Sequence, residues 1–115
     1  MTVTIYHNPR CSKSRQTLAL LEERGINPHV VEYLKTPPSA ADLKDILAKL
    51  GMAPRDLMRK KEPPYIALGL ADSNKTSAAL IAAMVDNPVL IERPIVLAGG
   101  KAAIGRPPED VLKIL

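Results

Sequence analysis

The sequence has no phenylalanine and no tryptophan, and its aromatic residues are three tyrosines, Tyr6, Tyr33 and Tyr65. Its core must therefore be aliphatic, and the platforms on which nucleic-acid bases stack are missing. Cysteine is scarcer still: Cys11 stands alone, so no internal disulfide can staple the chain. With two histidines, His7 and His29, beside that one cysteine, no metal-ligand spacing exists and no metal is expected. No apolar run approaches the ~18 residues of a membrane span, and the opening residues lack the basic and apolar segments of a signal peptide. These absences, with a free thiol suited to a reducing compartment, point to a cytoplasmic protein.

What is present is ordinary for a globular chain. The 115 residues suit one domain, and 46% hydrophobic with 24% charged residues argues against global disorder. The net charge of +4 comes from basic residues dispersed among acids, as in Glu22-Glu23-Arg24. The longest basic run, Arg59-Lys60-Lys61, is followed at once by Glu62. A basic excess of this kind fits a small anionic ligand better than a nucleic acid or a membrane surface.

The hydrophobic pattern predicts strands at 3–6 and 29–33 flanking a helix from Ser12 to Arg24, with Ser14, Leu18, Leu21 and Gly25 at helical spacing. Strand, helix and strand over about thirty residues is the signature of parallel neighbours. Ser39 is placed to cap a helix over 40–50, and Pro54 to open a short one. Pro63-Pro64 is expected to interrupt that segment before a short helix over 65–70, with another helix from Thr76 or Ser77 to the residues before Asn87-Pro88. The last third reads as a hairpin of strands 94–97 and 102–104 about Gly99-Gly100, then a short helix over 110–115. The order is βαβ, a helical insertion at about 39–86, then ββα: an α/β chain with the element order of a thioredoxin-like fold.

In that frame Cys11 sits between the first strand and the first helix, in His7-Asn8-Pro9-Arg10-Cys11-Ser12-Lys13-Ser14-Arg15. A thiol there faces unpaired backbone N–H groups and the positive end of the helix dipole, with Arg10, Lys13 and Arg15 close by in sequence. Such settings bring a cysteine pKa from about 8.5 into the range of roughly 3.5–7.5. A buried small hydrophobe is the competing role for a lone cysteine, and the polar, cationic neighbours speak against it. Arg59, Arg93 and Arg106 stand out as candidate oxyanion ligands, because the guanidinium fork matches tetrahedral anions and stays charged. Pro94 is a candidate for a cis peptide bond. Three roles stay open for His7: an imidazolium that stabilises the thiolate, a neutral base that accepts its proton, or a residue that simply finishes the strand.

Taken together, Tyr6 to Arg15, Tyr33-Leu34-Lys35-Thr36-Pro37-Pro38, Leu57-Met58-Arg59-Lys60, Glu92-Arg93-Pro94-Ile95-Val96 and Ile104-Gly105-Arg106-Pro107 resemble the glutaredoxin-coupled arsenate reductases, in that family's order along nearly the whole chain. The resemblance implies a thioredoxin-like fold in which Cys11 attacks the arsenic of arsenate. It implies oxyanion binding by Arg59, Arg93 and Arg106, and a histidine, His7, that favours the thiolate; Ser14 and Arg15 are supporting candidates. Glutathione enters as co-substrate, glutaredoxin as reductant, and no cofactor is tightly bound. The lone cysteine agrees independently, since a two-electron reduction needs a second thiol from outside.

Two other functions compete. Cys11-Ser12-Lys13-Ser14 has the Cys-x-x-Ser form of monothiol glutaredoxins, which fits a glutathione-dependent thiol/disulfide reductase without commitment to arsenate. RNA polymerase-binding redox regulators share the superfamily branch, but they typically carry a second cysteine where Ser14 stands.

Overall fold

The computed structural model describes residues 2–115. The chain divides into two compact units: one takes the chain up to Thr36 and from Arg93 to Leu115, and the other spans Pro37–Glu92.

The first unit is built on four strands, β1 (Val3–His7), β2 (His29–Glu32), β3 (Ile95–Ala98) and β4 (Lys101–Ile104). Their order is β2-β1-β3-β4, with β1 parallel to β2 and antiparallel to β3, and β4 antiparallel to β3. The expected βαβ and hairpin are both present. Gly99 and Gly100 join β3 to β4 with φ of 54° and 79°. Two consecutive residues in the left-handed region make the tight hairpin turn that side chains disfavour and glycine accepts.

Alternation along β1 turns Val3, Ile5 and His7 to one face, and all three are buried. Helix α1 (Ser12–Glu23) turns Ser14, Thr17 and Leu21 inward. Val3, Ile5, Leu21, Val96, Ala98 and Val111 form one aliphatic cluster. The helical face differs by one position from the expected stripe. Thr17 is fully buried, whereas Leu18 packs partly buried against the cluster. A threonine reads as surface in a hydrophobicity pattern, but Thr17 satisfies its hydroxyl by donating to the Lys13 carbonyl at 2.8 Å, so burial leaves no unpaired donor. The chain ends in a 3₁₀ helix over Pro108–Ile114, where the pattern suggested a short helix over 110–115.

In the second unit, α2 (Ala40–Leu50) begins on Ser39, whose hydroxyl accepts from the Asp42 N–H while the Asp42 carboxylate accepts from the Ser39 N–H, a reciprocal cap. Leu43, Ile46 and Leu47 are its buried stripe. A 3₁₀ turn covers Pro54–Leu57, followed by α3 (Pro63–Ala67) and α4 (Ser77–Asp86). The short helix expected over 65–70 starts two residues earlier, so Pro63-Pro64 lie inside it rather than before it. The two prolines open α3, because the first turn of a helix needs no N–H from them. Leu57, Met58, Leu80, Ile81, Met84, Leu90 and Ile91 are buried, so this unit too has an aliphatic core.

Leu21 is fully buried in the first unit's cluster. Leu21→Ala is expected to lower unfolding free energy by about 2–5 kcal/mol in urea titration, the range for a leucine truncated in a close-packed core.

Candidate active site

The register brings three distant segments to one end of the sheet. Tyr6 faces Ile95 across the β1–β3 pair, so the carboxyl end of β1 lies beside the entry to β3. Ile95 faces Ile104 across the β3–β4 pair, so the exit of β4 reaches the same end. Cys11 follows β1, Arg93 precedes β3 and Arg106 follows β4. Antiparallel pairing therefore gathers residues separated by more than eighty positions around one sulfur.

The loop from β1 to α1 is tied down on every side. The Asn8 side-chain carbonyl accepts from the Arg10 N–H and the Asn8 backbone carbonyl accepts from the Cys11 N–H, both at 3.0 Å. Arg15 donates through Nη1 to the Pro9 carbonyl at 2.9 Å. Ser14, fully buried, accepts from the Asn8 N–H at 3.0 Å and is hydrogen-bonded to His7 Nδ1 at 2.6 Å. His7 and Ser14 meet because the strand face that carries Val3 and Ile5 ends on His7, and the helical face that carries Leu21 and Thr17 begins on Ser14.

Cys11 occupies the N-cap position of α1 and is buried, with 8% of its surface exposed. Burial alone raises a thiol pKa. Here it is outweighed by a hydrogen bond from the Arg93 side chain, by the N–H groups of Ser14 and Lys13, and by the Arg93 charge, so the thiol titrates below its ordinary 9.0. The two N–H groups face the sulfur as helix-end dipoles without reaching full capping geometry. Arg106 approaches from the other side. Its Nη2 lies 3.5 Å from Cys11 Sγ, and its Nε donates to the Arg93 carbonyl at 2.8 Å. That second bond fixes the guanidinium plane against the segment that carries the first arginine. Both arginines precede a cis peptide bond, Arg93–Pro94 as the sequence suggested and Arg106–Pro107 as it did not. The repeated Arg-Pro dipeptide was the available sign.

His7 does not touch the sulfur; its hydrogen bond goes to Ser14, which in turn presents its N–H to Cys11. Burial lowers its pKa below 6.5, opposed by the Glu32 charge and reinforced by Arg15. Arg15 braces the Pro9 loop from an exposed position. Arg59 lies in the second unit, where Nη1 donates to Glu92 Oε1 at 2.8 Å and its backbone N–H donates to the Leu90 carbonyl. Among the described residues no group of three or more His, Cys, Asp or Glu is arranged to hold a metal ion, and no helix is long and apolar enough to cross a membrane.

A buried thiolate with two guanidinium groups and a helix N-terminus can attack an electrophilic centre that carries negatively charged oxygens, while the same cations hold those oxygens. Comparison with known proteins agrees. Residues 6–114 match the ArsC family. The chain is 56% identical to an arsenate reductase of Neisseria meningitidis serogroup A, over 98% of this chain and 97% of that one. It is 64% identical to the uncharacterized protein YfgD of Escherichia coli K12, over 98% and 96%. Among solved structures, the arsenate reductase of Vibrio cholerae superposes with a TM-score of 0.98 at 56% identity, covering 100% of this chain and 98% of that one. The thioredoxin-like α/β fold expected from the element order is the fold of these relatives.

Two titrations follow from the site. The rate of Cys11 alkylation by iodoacetamide should rise with pH and level off at a midpoint below 9.0, and Arg93→Ala should move that midpoint upward. Folding stability should fall as pH drops below 6.5 through the lowered pKa of His7, because the unfolded chain takes up that proton first. Urea midpoints measured across this range should lose that slope in His7→Gln; an unchanged slope would remove His7 as its source.

Proposed function

The chain belongs to the ArsC family, and from that premise we propose that it is a cytoplasmic arsenate reductase that draws its electrons from glutathione and glutaredoxin. The observation that carries the reading is the convergence of Arg93 and Arg106 on a thiol that is the chain's only one.

The Cys11 thiolate attacks arsenic, and one arsenate oxygen leaves as water, giving a thiolate–As(V) ester with no change of oxidation state. Arg93 and Arg106 hold the remaining oxygens, with Arg59 assigned to the same task by the family resemblance. Glutathione condenses on the same arsenic with loss of a second water. A glutaredoxin thiolate then attacks the glutathione sulfur: an S–S bond forms, the S–As bond breaks, and its electron pair reduces arsenic to As(III). Hydrolysis of the Cys11–As(III) bond releases arsenite and returns the thiolate. Cys11 is never oxidised to a disulfide, which accords with the absence of any partner cysteine in the chain.

His7, bonded to Ser14, does not serve as the proton acceptor of Cys11 in this scheme. The arginines and the helix end already favour the ionised thiol, and His7 holds the loop that presents it.

The test is arsenate-dependent NADPH consumption coupled through glutathione, glutaredoxin and glutathione reductase. Wild type should turn over and Cys11→Ser should not. Arg93→Ala should lose roughly 100- to 1000-fold in kcat/KM, the cost of one oxyanion donor, with only partial recovery in Arg93→Lys. Reduction of small disulfides by Cys11 without arsenate turnover would replace this function with that of a glutathione-dependent thiol/disulfide reductase.

A further inference from the structure

Gly105 lies between β4 and Arg106, and its φ is not one that demands glycine. Its surroundings demand it instead. A Cβ built there would fall 2.5 Å from Thr17 Oγ1, 2.8 Å from Pro94 Cγ and 3.1 Å from Thr17 Cγ2. Real Cβ atoms essentially never come within 3.0 Å of a neighbour, so two of the three contacts would force a displacement. Thr17 cannot yield easily, since it is fully buried and its hydroxyl is committed to the Lys13 carbonyl. Pro94 is a rigid ring, and the Gly105 N–H donates to its carbonyl at 2.9 Å. Three segments thus cross at one point: α1, the entry to β3 and the exit of β4. Each carries a site residue a few positions away, Cys11 on the first, Arg93 on the second and Arg106 on the third.

We propose that Gly105 is the positioning residue of the site: its missing side chain lets the exit of β4 pass between Thr17 and Pro94 closely enough to bring both guanidinium groups to Cys11 Sγ. A side chain at 105 presses α1 away from the two arginine segments together. The Arg106 contact, at 3.5 Å, is made by the residue that directly follows Gly105 and is the first to be lost. Displacement of Pro94 carries Arg93 with it, through the adjoining peptide bond. The role concerns the thiol itself and holds whether arsenate or another electrophile is the substrate.

The experiment is a pH titration of the Cys11 thiolate by its absorbance near 240 nm, alongside thermal melting, in wild type, Gly105→Ala, Thr17→Ala and the double variant. Gly105→Ala should raise the thiol pKa by roughly one unit, the scale of a nearby opposite charge withdrawn. Thr17→Ala should leave it near the wild-type value, and the double variant should recover a large part of the shift, because two of the three close contacts go with the threonine side chain. A glycine needed only for stability would lower the melting temperature and leave the thiol pKa in place, which overturns the proposal. If Gly105→Ala does not fold, Thr17→Ile presses on the same crossing from the helix side with Gly105 intact. A wild-type thiol pKa in folded Thr17→Ile is then the overturning result, and a raised one supports the crossing.

Discussion

A negative charge on Cys11 is opposed by the burial of the residue that bears it and favoured by the cations and helix-end dipoles that converge on one sulfur. Desolvation disfavours an ionised thiol, so the site works only if the opposing interactions exceed that cost together. Arg93 makes the largest favourable contribution through a hydrogen bond and its charge, and the N–H groups of Ser14 and Lys13 add to it. The same burial that threatens the charge also strengthens each of these interactions, since they act where water is largely excluded.

The remaining architecture of the first unit serves that convergence. Parallel pairing of β1 with β2 frees the end of β1 to turn into α1, and antiparallel pairing of β1, β3 and β4 returns the chain twice to the same end of the sheet. Three of its connections are anchored. Asn8 and Ser14 bind the loop before Cys11, Gly99-Gly100 close the hairpin, and Arg106 is clasped to the Arg93 carbonyl.

Ser14 illustrates how a familiar spacing can carry a different task. In Cys-x-x-Ser the second position invites comparison with a resolving thiol, yet here the Ser14 side chain is turned to His7 and the Asn8 N–H, and only its backbone N–H addresses the sulfur. Chemistry that needs a second thiol must therefore find it outside the chain. The buried His7–Ser14 pair also links the last residue of β1 to the first turn of α1, so a residue that resembles a catalytic base by its distance in sequence serves as a latch.

Local features were legible without coordinates. Ser39 as a cap, Gly99-Gly100 as a turn, the alternation of β1 and the placement of Cys11 at a helix start follow from propensities and dipoles that act within a few residues. The βαβ and ββα order, and hence the fold, followed from them. Other features were not legible, because they depend on which surfaces meet. Thr17 reads as polar until its hydroxyl is seen bonded within its own helix, and Pro63-Pro64 reads as a break before a helix until both prolines are seen in that helix's first turn. His7 reads as a partner for Cys11 until the strand and helix faces turn it to Ser14. By itself the sequence determined that one thiol would stand at a helix N-terminus among cations, since that requires only short-range order. The tertiary structure alone decided which cations reach the sulfur. Arg93 and Arg106 are brought to it by strand register and by a crossing too tight for any side chain at Gly105, distances that no local pattern encodes.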